Sequence, residues 1–151
     1  MKTLGIRTSP KEIRYALLDV DGQDVTFLNA DSENRLKFPN DMTAIEQKLS
    51  WLCSEFERIL RQNTDIENIV IKTSEYNRTE NSNARFATYA EGVLLTLAGQ
   101  KNIPISIKIY SALGTRRSGV KAFAAGKAGQ TQTLWNEQMA DAVAAAWSGR
   151  R

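Results

Sequence analysis

The sequence predicts an α/β fold in which a mixed five-stranded sheet carries helices on both faces, with elements in the order βββ-α-β-α-β-α. Two observations lead to this prediction. Strand-type alternation and a hairpin signal fill residues 1–30, and helical and strand periods then follow one another along the rest of the chain. Hairpin strands pair antiparallel and strands joined through helices pair in parallel, so the sheet is mixed. The length of 151 residues fits one domain, residues 1–151.

The first three strands are predicted to form an antiparallel meander. Residues 2–7 are a short apolar stretch, and residues 12–19 alternate in a way typical of a strand that is buried on both faces. The dipeptide Asp21-Gly22 is the strongest hairpin signal in the chain, because glycine readily adopts the positive φ of a tight turn. Residues 23–30 then form the third strand.

Helical and strand patterns follow. The first helix is predicted from apolar residues at spacings of three and four, with Asn40 or Asp41 as its cap. Those apolar residues are Met42, Ile45, Leu49, Leu52, Phe56 and Ile59. Residues 68–72 form a buried strand around Ile69-Val70-Ile71, because β-branched runs favour central parallel strands.

The remaining elements are a loop, a helix, a strand, a second loop and a final helix. Residues 73–81 are a polar loop, residues 83–98 a helix that Gly99 ends with positive φ, and residues 103–110 an alternating strand. Residues 111–130 are rich in Gly, Ala and Lys and are predicted to be a mobile loop. Residues 131–148 contain the last, alanine-rich helix.

Composition excludes several functional classes. There is no histidine, which excludes Ser-His-Asp and Cys-His catalysis and histidine-ligated zinc. Cys53 is the only cysteine, so an internal disulfide and a cysteine-cluster metal site are excluded as well. No run of 18 apolar residues exists, and the start of the sequence does not resemble a signal peptide. We therefore expect a cytoplasmic protein that does not enter a membrane.

Positive charge is concentrated in the last third of the chain. Residues 1–100 hold 12 Lys and Arg against 15 Asp and Glu, whereas residues 101–151 hold 8 against 2. Such asymmetry favours a polyanion partner, and a nucleic acid such as DNA is one candidate. The candidate nucleic-acid-binding residues are Arg116, Arg117, Lys121, Lys127 and Tyr76. The alternative is that these cations lie on a solvated surface loop without a ligand.

Aromatic residues are assigned mainly to the core. Trp51, Trp135 and Trp147 lie at helical positions and are expected to pack inside the protein. Tyr76 and Tyr110 are expected beside the cleft at the strand ends, which makes them the better candidates for stacking on bases.

The element order and several short strings resemble the RuvC-type (Holliday-junction resolvase-like) branch of the ribonuclease H-like superfamily. No single string is specific, and their joint order gives the resemblance its weight. The strings are Gly5-Ile6-Arg7-Thr8-Ser9 on the first strand, Ile69-Val70-Ile71-Lys72, Asn83-Ala84-Arg85, Gly119-Val120-Lys121, Gly126-Lys127-Ala128-Gly129 and Gln138-Met139-Ala140-Asp141-Ala142.

The resemblance implies a nuclease site that this sequence does not keep. Enzymes of this branch hold two divalent metals with four carboxylates, because hard cations need oxygen ligands. The corresponding positions here are Arg7, Lys72, Gln138 and Asp141, so only the last is acidic. Positive side chains repel Mg²⁺, and we therefore predict no metal cofactor and no catalytic residues.

Other acids are candidates for a rearranged site. Asp19, Glu75 and Glu137 lie near predicted strand or helix ends and would have to converge on Asp141. Otherwise, Arg7 and Lys72 either form ion pairs that fill the vacated metal site or face the phosphate of a nucleic acid.

Three functional hypotheses follow. The first is a catalytically inactive RuvC-like domain that binds nucleic acid or assists a nucleic-acid-processing partner. The second is a protein-interaction or structural module without nucleic-acid binding, and the third is an active metal-dependent nuclease or resolvase with a rearranged acidic site. The resemblance also implies a homodimer.

Overall fold

A six-stranded mixed sheet forms the centre of the protein in the computed structural model, which describes residues 1–76 and 79–150. The strands are β1 (Lys2–Thr8), β2 (Glu12–Asp21), β3 (Asp24–Phe27), β4 (Arg35–Lys37), β5 (Ile66–Lys72) and β6 (Ile105–Lys108). The helices are α1 (Ile45–Gln62), α2 (Ser82–Gln100), α3 (Tyr110–Leu113), α4 (Val120–Ala128) and α5 (Glu137–Ser148), and one 3-10 turn spans Arg117–Gly119.

The sheet has the predicted mixture of pairings. Its strand order is β3-β2-β1-β5-β6, with antiparallel pairs at β3-β2 and β2-β1 and parallel pairs at β1-β5 and β5-β6. The hairpin between β2 and β3 turns at Gly22, whose φ of 63° is the conformation that the Asp21-Gly22 signal predicts. The α/β class, the mixed sheet and the antiparallel meander are thus confirmed.

The number of strands was predicted wrongly. A sixth strand, β4, pairs with β2 and contains only three residues, too few for a pattern of alternation to appear in the sequence. Its central residue, Leu36, is buried between two exposed cations.

Helices cover both faces of the sheet, as predicted. Apolar residues of α1 and α2 pack on one face, where Leu52, Phe56 and Leu94 are fully or almost fully buried. The other face packs against α4 and α5. In α5, all residues from Met139 to Ala146 are buried. No helix among the described residues is both long enough and apolar enough to span a bilayer.

The contact between β1 and α5 is unusually close. A Cβ atom on Gly5 would lie 1.9 Å from the carbonyl oxygen of Ala142 and 2.3 Å from the backbone nitrogen of Ala146. The helix therefore rests directly on the strand, which explains both the glycine in β1 and the alanines along α5. This contact places the first turns of α5 beside the end of β1.

Residues 111–130 do not form the mobile loop that was predicted. They contain α3, the 3-10 turn and α4, and α4 packs against α5 through the buried residues Val120 and Ala124. The prediction failed because α4 buries so few of its residues that Gly, Ala and Lys dominate its sequence. The last helix is shorter than predicted because α5 begins at Glu137.

Several boundaries also differ. The residue that precedes α1 is Ala44, which provides no side-chain cap, rather than Asn40 or Asp41. Gly99 lies inside α2, and the positive φ belongs to Asn102 after the helix. The strand predicted at residues 103–110 is reduced to β6. Residues 77 and 78 of the predicted loop 73–81 lie outside the described residues.

Candidate functional site

Arg7 and Lys72 are direct neighbours at one edge of the sheet. They are register partners on the parallel strands β1 and β5, close to the carboxyl end of each strand. Side chains that are paired in this way lie on the same face of a sheet. Both therefore project on the side of α5, and the close contact at Gly5 places Asp141 of that helix opposite them.

Asp141 is fully buried and holds a partner on each carboxylate oxygen. The Arg7 Nε lies 3.0 Å from Oδ2, and the Tyr110 hydroxyl donates to Oδ1 at 2.8 Å. Burial raises the pKa of the Asp141 carboxyl, whereas the hydrogen bond from Tyr110 and the charges of Arg7 and Lys72 act to lower it. Burial and the bond to Asp141 raise the pKa of Tyr110, which stays protonated as the donor. Both carboxylate oxygens of Asp141 thus have partners within the protein.

Lys72 is buried to the same degree and is held by an aromatic ring. Its Nζ lies 3.9 Å from the ring centroid of Tyr110, donates to the carbonyl of Thr73 and is 4.0 Å from Glu75 Oε1. Burial and the charge of Arg7 lower the pKa of Lys72. Tyr110 therefore supports both charges of the site, with its ring under Lys72 and its hydroxyl on Asp141.

A row of five cations crosses the whole sheet. Register pairs join Arg35 to Arg14, Arg14 to Arg7, Arg7 to Lys72, and Lys72 to Lys108. Like charges directly opposite one another destabilise a sheet unless other groups compensate them. Glu12 supplies part of this compensation. Its Oε1 lies 3.2 Å from Nε of the buried Arg14, and its Oε2 lies 3.5 Å from Nη1 of Arg35.

Glu91 is a buried acid of this region that the sequence analysis missed. It projects from α2 and accepts hydrogen bonds from the hydroxyls of Thr8, at 3.1 Å, and Thr73, at 3.2 Å. Burial raises the pKa of its carboxyl. The available signal was its position on the helix, since Glu91 lies between Ala87 and Leu94 on the apolar face.

An open cleft of about 500 Å³ lies over these groups. Its lining residues include Arg7, Lys72, Glu75, Tyr110, Arg117 and Glu137. Three acids in or beside the cleft have a cationic neighbour: Asp141 pairs with Arg7, Glu75 lies near Lys72, and Glu137 pairs with Arg117 at 2.9 Å. Gln138, at another position where the resemblance predicts an acid, lines the same cleft.

These residues do not fit a pair of divalent metals. Within residues 1–76 and 79–150, no group of three or more Asp, Glu, His or Cys side chains is placed to hold a metal ion. Asp19 is not part of the cleft, because it pairs with the amino group of Met1 at the opposite end of the sheet. Of the acids considered for a rearranged site, Glu75 and Glu137 reach the cleft, and each lies beside a cation there.

The candidate nucleic-acid-binding residues are spread over several elements. Arg117 lines the cleft, whereas Lys121 and Lys127 are exposed on α4. Arg116 is exposed just before the 3-10 turn, and Tyr76 is 81% exposed after β5.

Tyr110 and the three tryptophans, which the sequence analysis also considered, are buried or partly buried. Tyr110, proposed for base stacking, is instead buried, and its ring is in contact with Lys72. Trp51, Trp135 and Trp147 are partly buried against the two cores, in agreement with the packing role that was predicted for them.

Comparisons with known proteins support the architecture. No protein-family model matches the sequence, and a search of curated proteins finds no match. Among solved structures, Thermus thermophilus RuvC in complex with a Holliday junction substrate superposes with a TM-score of 0.79 at 17% identity, over 98% of this chain and 92% of that one.

Two resolvases show the same fold at lower similarity. The Fowlpox virus resolvase, in a complex with Holliday junction DNA, gives a TM-score of 0.62 at 8% identity, over 98% of this chain and 95% of that one. The yeast mitochondrial Holliday junction resolvase gives 0.55 at 15% identity, over 97% and 77%. The sheet order, the helices on both faces and these superpositions together show that the chain has the RuvC-type ribonuclease H-like fold.

Proposed function

We propose that this protein is a catalytically inactive RuvC-like domain that binds nucleic acid without a metal ion, or assists a nucleic-acid-processing partner in doing so. The ion pair between Arg7 and Asp141 is the observation that supports this proposal most directly. It occupies the acid that a nuclease of this fold would use for a metal, and a cation stands where the first metal ligand is expected.

The arrangement of the cleft gives the physical reason for the loss of catalysis. A two-metal mechanism requires carboxylates that converge on the ions and stabilise the attacking and leaving oxygens of the phosphodiester. Here the buried Lys72 and the partly buried Arg7 flank Asp141, and their charges oppose the entry of a divalent cation. The same charges do not oppose a phosphate.

Nucleic-acid binding is supported by the charge of the C-terminal third and by the fold. Exposed cations lie on α4 and beside the cleft, and cations displace the counterions of nucleic acid when they contact its phosphates. The structural neighbours include RuvC in complex with a Holliday junction substrate and a viral resolvase in complex with Holliday junction DNA. We extend the ability to bind DNA, and not the cleavage, to this chain.

A salt titration tests the proposal. Binding of the purified protein to a four-way DNA junction, a duplex and a single strand is measured in EDTA at a series of salt concentrations. We expect binding in the absence of metal, with an affinity that falls linearly on a logarithmic salt scale. An absence of binding at low salt would contradict the proposal and favour a protein-interaction or structural module.

Cleavage assays test the loss of activity. The same DNA substrates are incubated with the protein in Mg²⁺ or Mn²⁺, next to the isosteric Asp141→Asn variant, whose folding is checked by urea unfolding. We expect no cleavage by either protein. Cleavage that the substitution abolishes would establish a nuclease with a rearranged acidic site.

The homodimer that the resemblance implies stays a prediction, which sedimentation equilibrium checks.

A further inference from the structure

Two cations contact the ring of Trp147 near the carboxyl end of α5. The Arg150 guanidinium carbon lies 3.2 Å from the centroid of the Trp147 ring, and the Lys127 Nζ lies 4.9 Å from it. Phe123 contacts the same indole edge-on, with a centroid distance of 5.4 Å and an interplanar angle of 89°. The indole thus holds two exposed cations that come from different parts of the chain.

Lys108 extends this cluster to the sheet. Its Nζ donates to the carbonyl of Ser148 at 3.1 Å and lies 3.2 Å from the Ser148 hydroxyl. Burial and the charge of Arg150 lower the pKa of Lys108, so the two cations are close enough to repel each other. We call Lys108, Phe123, Lys127, Trp147 and Arg150 the Trp147 cluster.

The Trp147 cluster differs from the cleft in the compensation of its charges. In the cleft, Arg7 pairs with Asp141 and Arg117 pairs with Glu137. Among the described residues, no ion pair includes Lys108, Lys127 or Arg150. A phosphate that entered the cleft would compete with existing carboxylates, whereas one at the cluster would meet no such competition from described acids.

The contacts of the cluster also suit a phosphate. A guanidinium group that is stacked on an aromatic ring keeps its plane fixed and can present N–H groups in the fork that matches phosphate oxygens. Arg150 is further held by a bond of 2.8 Å from its side chain to the Trp147 carbonyl. Ordering these cations before binding reduces the entropy that is lost when a ligand arrives.

We infer that the Trp147 cluster binds phosphate groups of a nucleic-acid backbone, and that it does so more strongly than the cleft over Asp141. The inference rests on the proposed nucleic-acid function and names the surface that carries it. The indole has an ordering role here, because it is already in contact with two cations and with Phe123. A base therefore does not stack on it.

A nucleic-acid strand is favoured over a lipid surface by the number of cations. Segments that bind anionic membranes typically carry about four to eight clustered Lys or Arg residues. The Trp147 cluster has three, one of which is hydrogen-bonded to the backbone and partly buried. Binding to vesicles that contain phosphatidylserine is therefore measured beside binding to DNA.

The first experiment compares salt dependence in two double variants of the full chain. Lys127→Gln/Arg150→Gln removes the two exposed cations of the cluster. Lys48→Gln/Arg61→Gln changes the net charge equally on α1 and also removes a cation over an aromatic ring, since Lys48 Nζ lies 5.3 Å from the Phe86 centroid. We expect the cluster variant to bind duplex DNA more weakly and to reduce the slope of log K against log salt by about 1–2. The control should keep the wild-type slope.

A second measurement uses the wild-type protein, so its result does not depend on whether a variant folds. In ¹⁵N spectra of the wild type, titration with a short duplex should shift the indole N–H resonance of Trp147. The Trp51 resonance should stay in place, because Trp51 packs on Phe38 on the other face of the sheet.

The outcomes separate the two proposals. If the wild type binds DNA but the cluster variant keeps the wild-type slope, or if Trp147 does not shift, this inference is wrong while the proposed function stands. If the wild type fails to bind DNA, both are wrong. Binding to phosphatidylserine vesicles in place of DNA would also overturn the assignment to a nucleic-acid backbone.

Discussion

Arg7 and Asp141 are 134 residues apart in the chain, and their side chains form an ion pair of 3.0 Å at the end of the central sheet. The Asp141 side chain is 0% exposed and that of Arg7 is 15% exposed. A buried pair of this kind adds little net stability, because desolvation of the two charges offsets their attraction. The pair matters instead for metal binding, because a metal ion would have to displace Arg7 to reach this oxygen of Asp141.

Removal of one partner of this pair should destabilise the protein strongly. Asp141→Ala leaves the Arg7 charge and the Tyr110 hydroxyl without their acceptor, and we expect a loss of about 3–5 kcal/mol in urea unfolding. In a double-mutant cycle with Arg7→Met, the coupling energy should be roughly 0.5–3 kcal/mol.

The exposed pair between Glu80 and Arg85, at 2.9 Å, is the matched control for this cycle. Because both side chains are more than half exposed, its coupling should be about 0–1 kcal/mol and smaller than that of the buried pair. Equal coupling energies for the two pairs would contradict the role given to Asp141.

Tyr110 should contribute through its hydroxyl as well as its ring. Tyr110→Phe keeps an aromatic ring beneath Lys72 but removes the donor to Asp141 Oδ1. A buried carboxylate oxygen that loses its partner costs about 1–3 kcal/mol, and urea unfolding measures the loss. Tyr110→Leu removes the ring contact too and should cost more, so identical losses in the two variants would argue against the ring contact with Lys72.

Gly5 should tolerate no side chain. Gly5→Ala places a methyl group 1.9 Å from the Ala142 carbonyl oxygen, so β1 and α5 must separate. We expect a destabilisation of about 4 kcal/mol or more, measured by thermal or urea unfolding. Gly92→Ala is the control, because a Cβ there meets nothing within 4 Å on the exposed side of α2. This change should stabilise the protein by roughly 0.5–1 kcal/mol, and similar effects at both sites would refute the close packing.

Much of this architecture could be predicted from periodicity. Periods of two and of three to four residues located β2, α1 and α2, a run of β-branched residues located β5, and the order of these elements predicted the mixed sheet. That order also places the ends of β1 and β5 side by side, so the proximity of Arg7 and Lys72 follows from topology.

The parts that could not be predicted depend on tertiary contacts. The short strand β4 exists because β2 offers it a partner, and α4 exists because α5 covers Val120 and Ala124. Lys108 joins the cationic row only through the register between β5 and β6. Tyr110 was expected to be available for stacking, but the start of α3 buries it against Lys72 and Asp141.

Glu91 should make stability depend on pH in a defined direction. Burial raises the pKa of this carboxyl above its ordinary value of 4.5, so the folded state binds more protons than the unfolded state between 4.5 and the raised pKa. Stability conferred by the protonated acid is therefore lost as the pH rises through that window. Arg7 and Lys72, the charges that face Glu91, act to lower this pKa.

Glu91→Gln tests this direction. The amide carries no charge and can still bond to Thr8 and Thr73, which hold the carboxylate in the wild type. The stability of the variant relative to the wild type should increase as the pH rises from 4.5, and urea unfolding at several pH values measures it. A difference that is constant across the pH series would show that Glu91 does not titrate as described.

Titration calorimetry with Mn²⁺ tests most directly whether the contacts of Asp141 with Arg7 and Tyr110 exclude a metal ion. The triple variant Arg7→Asp/Lys72→Glu/Gln138→Asp places acids at the positions where the resemblance to resolvases predicts them, and we expect it to acquire Mn²⁺ binding. The wild type should show no saturable heat of binding, because Asp141 is held by Arg7 and Tyr110. Saturable binding of Mn²⁺ to the wild type that disappears in Asp141→Asn would contradict the account.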